Sequence, residues 1–175
     1  MLNIFKQLKV QLPRKRIQIQ VSDSEDTLSV CFAISGPNTG GGIERHVRDL
    51  SQGLVQKQCR VVVLAHESYR SLFDSSIEFR VIRFDRWRYS PLLLSEFTKQ
   101  VLAINPTIVH AHGRKAAQVV SLTRSRYSST CILTVHNLNI KPQLYENFDT
   151  VIAVSPAVAK RIQHPHVKTI VNGCS

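Results

Sequence analysis

Arg60-Val-Val-Val-Leu-Ala65 places apolar side chains on consecutive positions, with no polar residue between them. A strand with one wet face alternates, whereas a strand covered on both faces does not. Comparable runs recur at residues 28–34, 107–111, 130–135 and 150–154, with weaker ones at 78–84 and 167–171. The segments between them change period. In residues 43–58, Ile43, Val47, Leu50, Leu54 and Val55 fall on one helical stripe. In residues 91–104, Leu93, Leu94, Phe97, Val101 and Leu102 do the same. Residues 114–126 read as a further helix, and Ser155-Pro156 as the start of another, with Lys160 and Arg161 in its later turns. Doubly covered strands alternating with helices predict right-handed βαβ units and an α/β, doubly wound parallel sheet.

The 175 residues suffice for one domain with a real core. Residues 28–175 are read as that domain and residues 1–27 as a basic, flexible arm. Lys6, Lys9, Arg14, Lys15 and Arg16 precede the acidic Asp23, Glu25 and Asp26. Leu2, Ile4, Phe5, Leu8 and Leu12 would also suit a weak amphipathic helix on a membrane surface. No stretch approaches the roughly 18 apolar residues of a membrane span, and the arm lacks the apolar core of a secretory signal. A cytoplasmic protein is expected, with peripheral contact at the inner face of the membrane.

Cys31, Cys59, Cys131 and Cys174 stand singly. Two lie in apolar runs, where a thiol acts as a small hydrophobe, so neither a disulfide framework nor a zinc site is expected. The 23 Lys and Arg against 12 Asp and Glu give a formal charge of +11, which favours anionic partners. A nucleic-acid reader is not expected, because no basic-and-aromatic strand signature accompanies the charge. Arg83, Arg86 and Arg88 around Trp87 and Tyr89 read either as a patch for anionic lipid headgroups or as an ordinary solvated loop.

In open parallel sheets ligands bind beyond the carboxyl ends of the strands. Gly40-Gly41-Gly42-Ile-Glu44-Arg-His follows the first strand. Glycines let the backbone approach an anion, and the helix N-terminus supplies free N–H groups. A plain flexible turn fits the same residues, and Glu44 also fits as a first-turn charge complementing the helix dipole. The spacing is neither the dinucleotide fingerprint nor a Walker loop. His110 and His112 lie two apart on the fourth strand and share a face. His112, at the very end, can hydrogen-bond or transfer a proton into the crevice, while His110 reads as a packing residue. A metal would need further ligands, and none stands at a convincing spacing. His136 ends the fifth strand and Ser155 follows the sixth, where capping a helix suffices to explain it. Asn172-Gly173 is a turn with no strand left to pair, which predicts a chain that ordinarily continues. No Gly-x-Ser-x-Gly elbow or spaced acid pair supports hydrolysis.

Together these segments carry a resemblance. Gly41-Gly-Ile-Glu-Arg-His-Val-Arg-Asp-Leu-Ser-Gln-Gly-Leu54 resembles the first-helix signature of the family 4 retaining glycosyltransferases. Val61-Val-Val-Leu-Ala65, Ile108-Val-His-Ala-His-Gly113, Thr134-Val-His136, Val151-Ile-Ala-Val-Ser155 and Val171-Asn-Gly173 follow in that family's order. The resemblance implies a Rossmann-like domain, the N-terminal, acceptor-side half of a GT-B architecture. Gly41 and Gly42, with Glu44, would lie against the diphosphate of a nucleotide-sugar. His112 would act beside the transferred sugar, His136 would line the cleft, and Asn172 would mark the crossover to a second domain. Ser155 and Asn172 are also assigned to the substrate side. Arg114 and Lys115 are assigned to an anionic acceptor on charge alone.

The implied reaction moves a sugar from a nucleotide-sugar to a glycan or glycolipid acceptor, without a cofactor or metal, and needs a separate C-terminal donor domain. A non-catalytic module binding a phosphorylated ligand or an anionic surface is the other reading. Gln58-Cys59 departs from the Gly-His usual in relatives, which removes the glycine that ends the first helix in a left-handed turn.

Overall fold

The computed structural model describes residues 28–36, 41–136 and 142–171. The arm, Gly40, Asn172, Gly173 and Cys174 lie outside the described residues. Seven parallel strands form one sheet: β1 (Ser29–Ile34), β2 (Arg60–Ala65), β3 (Glu78–Val81), β4 (Ile108–His112), β5 (Thr130–Val135), β6 (Thr150–Ala153) and β7 (Val167–Thr169). Their spatial order is β3-β2-β1-β4-β5-β6-β7. The helices are α1 (Gly42–Val55), α2 (Pro91–Ile104), α3 (Arg114–Thr123) and the single-turn α4 (Pro156–Ala159).

Strands β1, β2, β4, β5 and β6 each divide their side chains between two cores. Val30, Phe32 and Ile34 of β1 pack with Val63, Ile108, Ile132 and the α1 residues Val47 and Leu54. Cys31 and Ala33 point the other way, toward Leu93, Phe97 and Val101 of α2 and Val119 and Val120 of α3. The connection after β1 therefore crosses one face and the connection into β4 crosses the other. The sheet reverses its winding between β1 and β4, which pair in register from Val30 opposite Ile108 to Ile34 opposite His112. Such a reversal opens a crevice at the strand ends.

The expected elements are present, with shifts at their ends. The strand expected to run to Phe84 stops at Val81, although Ile82 and Phe84 remain buried. The helix expected to reach Arg126 closes as a 3-10 turn over Arg124–Arg126. Lys160 and Arg161 do not lie in later turns of α4, because that helix ends at Ala159 with Lys160 as its C-cap. The last strand ends at Thr169. A 3-10 helix at Glu67–Leu72 has no counterpart in the sequence reading. It buries Tyr69, whose hydroxyl donates to the Gly36 carbonyl at 3.2 Å.

Gln58 takes the left-handed conformation, with φ of 60°. Its N–H donates to the Val55 carbonyl and the Cys59 N–H to the Leu54 carbonyl, closing α1 in a Schellman arrangement. The turn survives loss of the glycine, with a non-glycine residue under strain in its place.

Candidate functional site at the β1–β4 crevice

On β4, the period of two puts His110 and His112 on the face shared with Phe32, whose ring lies 5.3 and 5.6 Å from theirs between centroids. His110 is a packing residue: it is 1% exposed and its Nε2 lies 2.8 Å from the Thr134 hydroxyl on β5. His112, fully buried, ends β4. Its Nδ1 lies 3.1 Å from Nε2 of His136, the residue after β5. α1 crosses above them. It places the His46 ring 5.6 Å from that of His112 and 5.2 Å from that of His136. One nitrogen from each of the three rings falls within 4.8 Å of the others.

Burial keeps these rings neutral. Desolvation pushes His136 down to about 4, with His46 adding to the effect. His112 is held well below the ordinary range by desolvation and by the three neighbouring histidines. His46 is lowered by desolvation, against the opposing charge of Asp49. A neutral imidazole offers one donor and one acceptor, so the cluster can hydrogen-bond hydroxyl groups in either sense. The Nε2 of His112 is buried and has no partner among the described residues.

The glycine turn stands beside this cluster. Gly41 is the N-cap of α1 and has no side chain with which to cap it; the first N–H groups of a helix have no partner within the helix itself. A Cβ at Gly42 would meet nothing within 4 Å among the described residues outside its own helix turn. Packing against the described residues therefore does not demand a glycine at this position. Gly113 shows the opposite case. It has φ of 87°, and a Cβ there would sit 2.8 Å from the Ser35 carbonyl oxygen. The Ser35 hydroxyl accepts the Ala116 N–H at 2.7 Å, so a residue at the end of β1 caps the helix after β4.

The remaining residues assigned from sequence lie around this centre. Glu44 is buried in the first turn of α1, and its charge, after desolvation, adds to what pushes the Tyr69 phenol up to about 12. Arg114 is exposed at the start of α3. The Lys115 ammonium donates to the Phe84 carbonyl, and desolvation lowers its pKa. The Ser155 hydroxyl accepts the Val158 N–H at 3.2 Å as the cap of α4. Asn172 lies outside the described residues. His46 was not singled out by the sequence. The one available signal was its place one turn beyond Gly42, which puts both on the same side of the helix.

The family model for Glycosyltransferase Family 4 matches residues 40–174. No curated protein sequence matches the chain. Among solved structures, a glycosyltransferase from Rickettsia africae superposes with a TM-score of 0.70 at 17% identity, over 85% of this chain and 44% of that one. Anabaena HepE in complex with UDP-glucose superposes with a TM-score of 0.65 at 16% identity, over 84% and 44%. MurG from Acinetobacter baumannii gives 0.64 at 19% identity, over 85% and 46%. These structures share the fold, and the chain spans less than half of each.

Proposed function

We infer function from family and site together: this chain belongs to glycosyltransferase family 4, and we propose that it supplies the acceptor-side wall of a nucleotide-sugar cleft. The observation that carries this reading is the convergence, at the β1–β4 reversal, of the glycine-led first turns of α1 with His112 and His136. An anionic diphosphate suits that helix end, where N–H groups and the dipole favour negative charge. The UDP-glucose held by HepE, a structure of the same fold, supports this class of ligand.

In the proposed reaction a sugar moves from its nucleotide diphosphate to a glycan or glycolipid hydroxyl, with retention at the anomeric carbon. The chain's own part is positioning and charge stabilisation. The first N–H groups of α1 face the leaving diphosphate, and His112 and His136 hydrogen-bond the sugar hydroxyls. A second, donor-binding domain completes the cleft. The test is sugar transfer from a panel of nucleotide-sugars, measured with this chain alone and with a family donor domain added. Transfer only in the mixture supports the reading. Transfer by the chain alone overturns the division of labour, and donor binding without transfer in any mixture favours a binding module.

Peripheral membrane contact forms a further part of the proposal. Trp87 is 69% and Leu92 68% exposed, and the Trp87 and Tyr89 rings stack edge-on at 5.1 Å. Two of the nearby arginines are already paired, Arg83 with Asp85 at 3.1 Å and Arg86 with Glu96 at 3.0 Å. Any attraction to lipid therefore rests more on the apolar side chains than on the basic charge. Sedimentation with anionic liposomes should fall for Trp87→Ser and Leu92→Ser together; unchanged sedimentation removes the contact.

A further inference from the structure

We propose that His46, His112 and His136 form a binding site for a divalent transition metal ion at the mouth of the crevice. Three elements that are distant in sequence each deliver one imidazole to it: the second turn of α1, the end of β4 and the residue after β5. One nitrogen from each ring lies within 4.8 Å of the others. His112 Nδ1 and His136 Nε2 are 3.1 Å apart, near the roughly 3.3 Å edge of a tetrahedron whose metal–nitrogen bonds are about 2.0–2.1 Å. His112 is fixed by its strand and by the Phe32 ring packed at a tilt against it. His46 and His136 are only part-buried, so their side chains have room to close on an ion.

An all-imidazole set selects borderline ions such as Zn2+, Co2+, Ni2+ and Cu2+ over Mg2+ or Ca2+, which take oxygen ligands. Three protein ligands leave a fourth vertex for water or a ligand atom in the crevice. The sequence offered no convincing ligand spacing because the three histidines meet only through the sheet order and the crossing of α1. This site does not rest on the transferase reading. If both hold, a bound ion takes the imidazole nitrogens assigned above to the sugar and opposes transfer.

The test titrates the full chain with Zn2+ alone, against a chromogenic chelator, and follows the visible absorption of Co2+ as a probe of tetrahedral nitrogen ligation. One site per chain is expected. His46→Gln and His136→Gln should each weaken it by about tenfold or more while leaving the circular dichroism unchanged. His164→Gln is the control, since His164 and His166 form another close pair, with ring centroids 6.1 Å apart. Absence of one-to-one binding overturns the proposal. So does binding that survives both cluster substitutions or disappears with His164→Gln. No sugar donor enters the assay, so its failure leaves the transferase reading standing.

Discussion

The Gly113 backbone lies so close to Ser35 that a Cβ on the glycine would sit 2.8 Å from the Ser35 carbonyl oxygen. Around this contact the Ser35 N–H donates to the His112 carbonyl at 3.3 Å, and the Ser35 hydroxyl caps α3. The end of β1, the end of β4 and the start of α3 are thereby held as one unit beneath the crevice. Gly113→Ala meets both a left-handed φ and a backbone clash. It should cost about 2–3 kcal/mol in denaturant unfolding. A loss below about 0.5 kcal/mol, within the ordinary range of surface changes, would contradict the tight approach.

Gly42 presents the reverse situation, because a Cβ there meets nothing among the described residues. Gly42→Ala should leave stability unchanged or raise it by up to about 1 kcal/mol, while weakening any ligand that approaches the α1 N-terminus. Thermal melts and nucleotide-sugar binding on the same sample separate the two effects. A destabilised variant would mean that the glycine serves the fold, and unaltered binding that it does not face the ligand.

The helix end at Gln58 is a site of strain. With φ of 60°, Gln58 occupies a conformation that glycine adopts freely. Gln58→Gly should stabilise by about 1 kcal/mol, or about 2–4 °C in Tm for a domain of this size. A lower melting temperature would show that the Gln58 side chain contributes more than its backbone costs.

Cys31 and Cys131 are buried, and desolvation is the main reason each thiol is pushed up to about 12. The thiolate is the reactive form, so in native protein at pH 8 both should resist alkylation while the part-exposed Cys59 reacts. Peptide mapping by mass spectrometry should show both modified only after unfolding. Native labelling of either would place it outside the core.

Much of the fold could be read in the residues. Arg60–Ala65, Pro91–Ile104 and Thr130–Val135 were delimited to the residue, because each is an unbroken apolar or periodic segment between turn formers. Ends were less legible where burial outlasts pairing. Ile82 and Phe84 look like strand residues, yet they pack into the core after β3 has stopped. Ser155-Pro156 correctly marked a helix start, but nothing nearby signalled that the helix makes only one turn. In the site, His112 and His136 could be found because they close strands. His46 could not, since helical periodicity gives the face of α1 but not which strand end its second turn overlies. The charged cluster around Trp87 was visible as composition, while the pairing of Arg83 with Asp85 and of Arg86 with Glu96 depends on side-chain geometry.

In the proposed cleft a nucleotide-sugar diphosphate binds where α1 starts beside β1 and β4. Amide chemical-shift mapping of the isotope-labelled chain, mixed with an unlabelled family donor domain, during titration with UDP-glucose and its ADP and GDP counterparts tests it most directly. Shifts should concentrate at Gly41, Gly42, Gly113 and His136, and inorganic diphosphate in excess should displace the nucleotide-sugar from them. Shifts scattered over the basic surface, or none with any of the three donors, would contradict it.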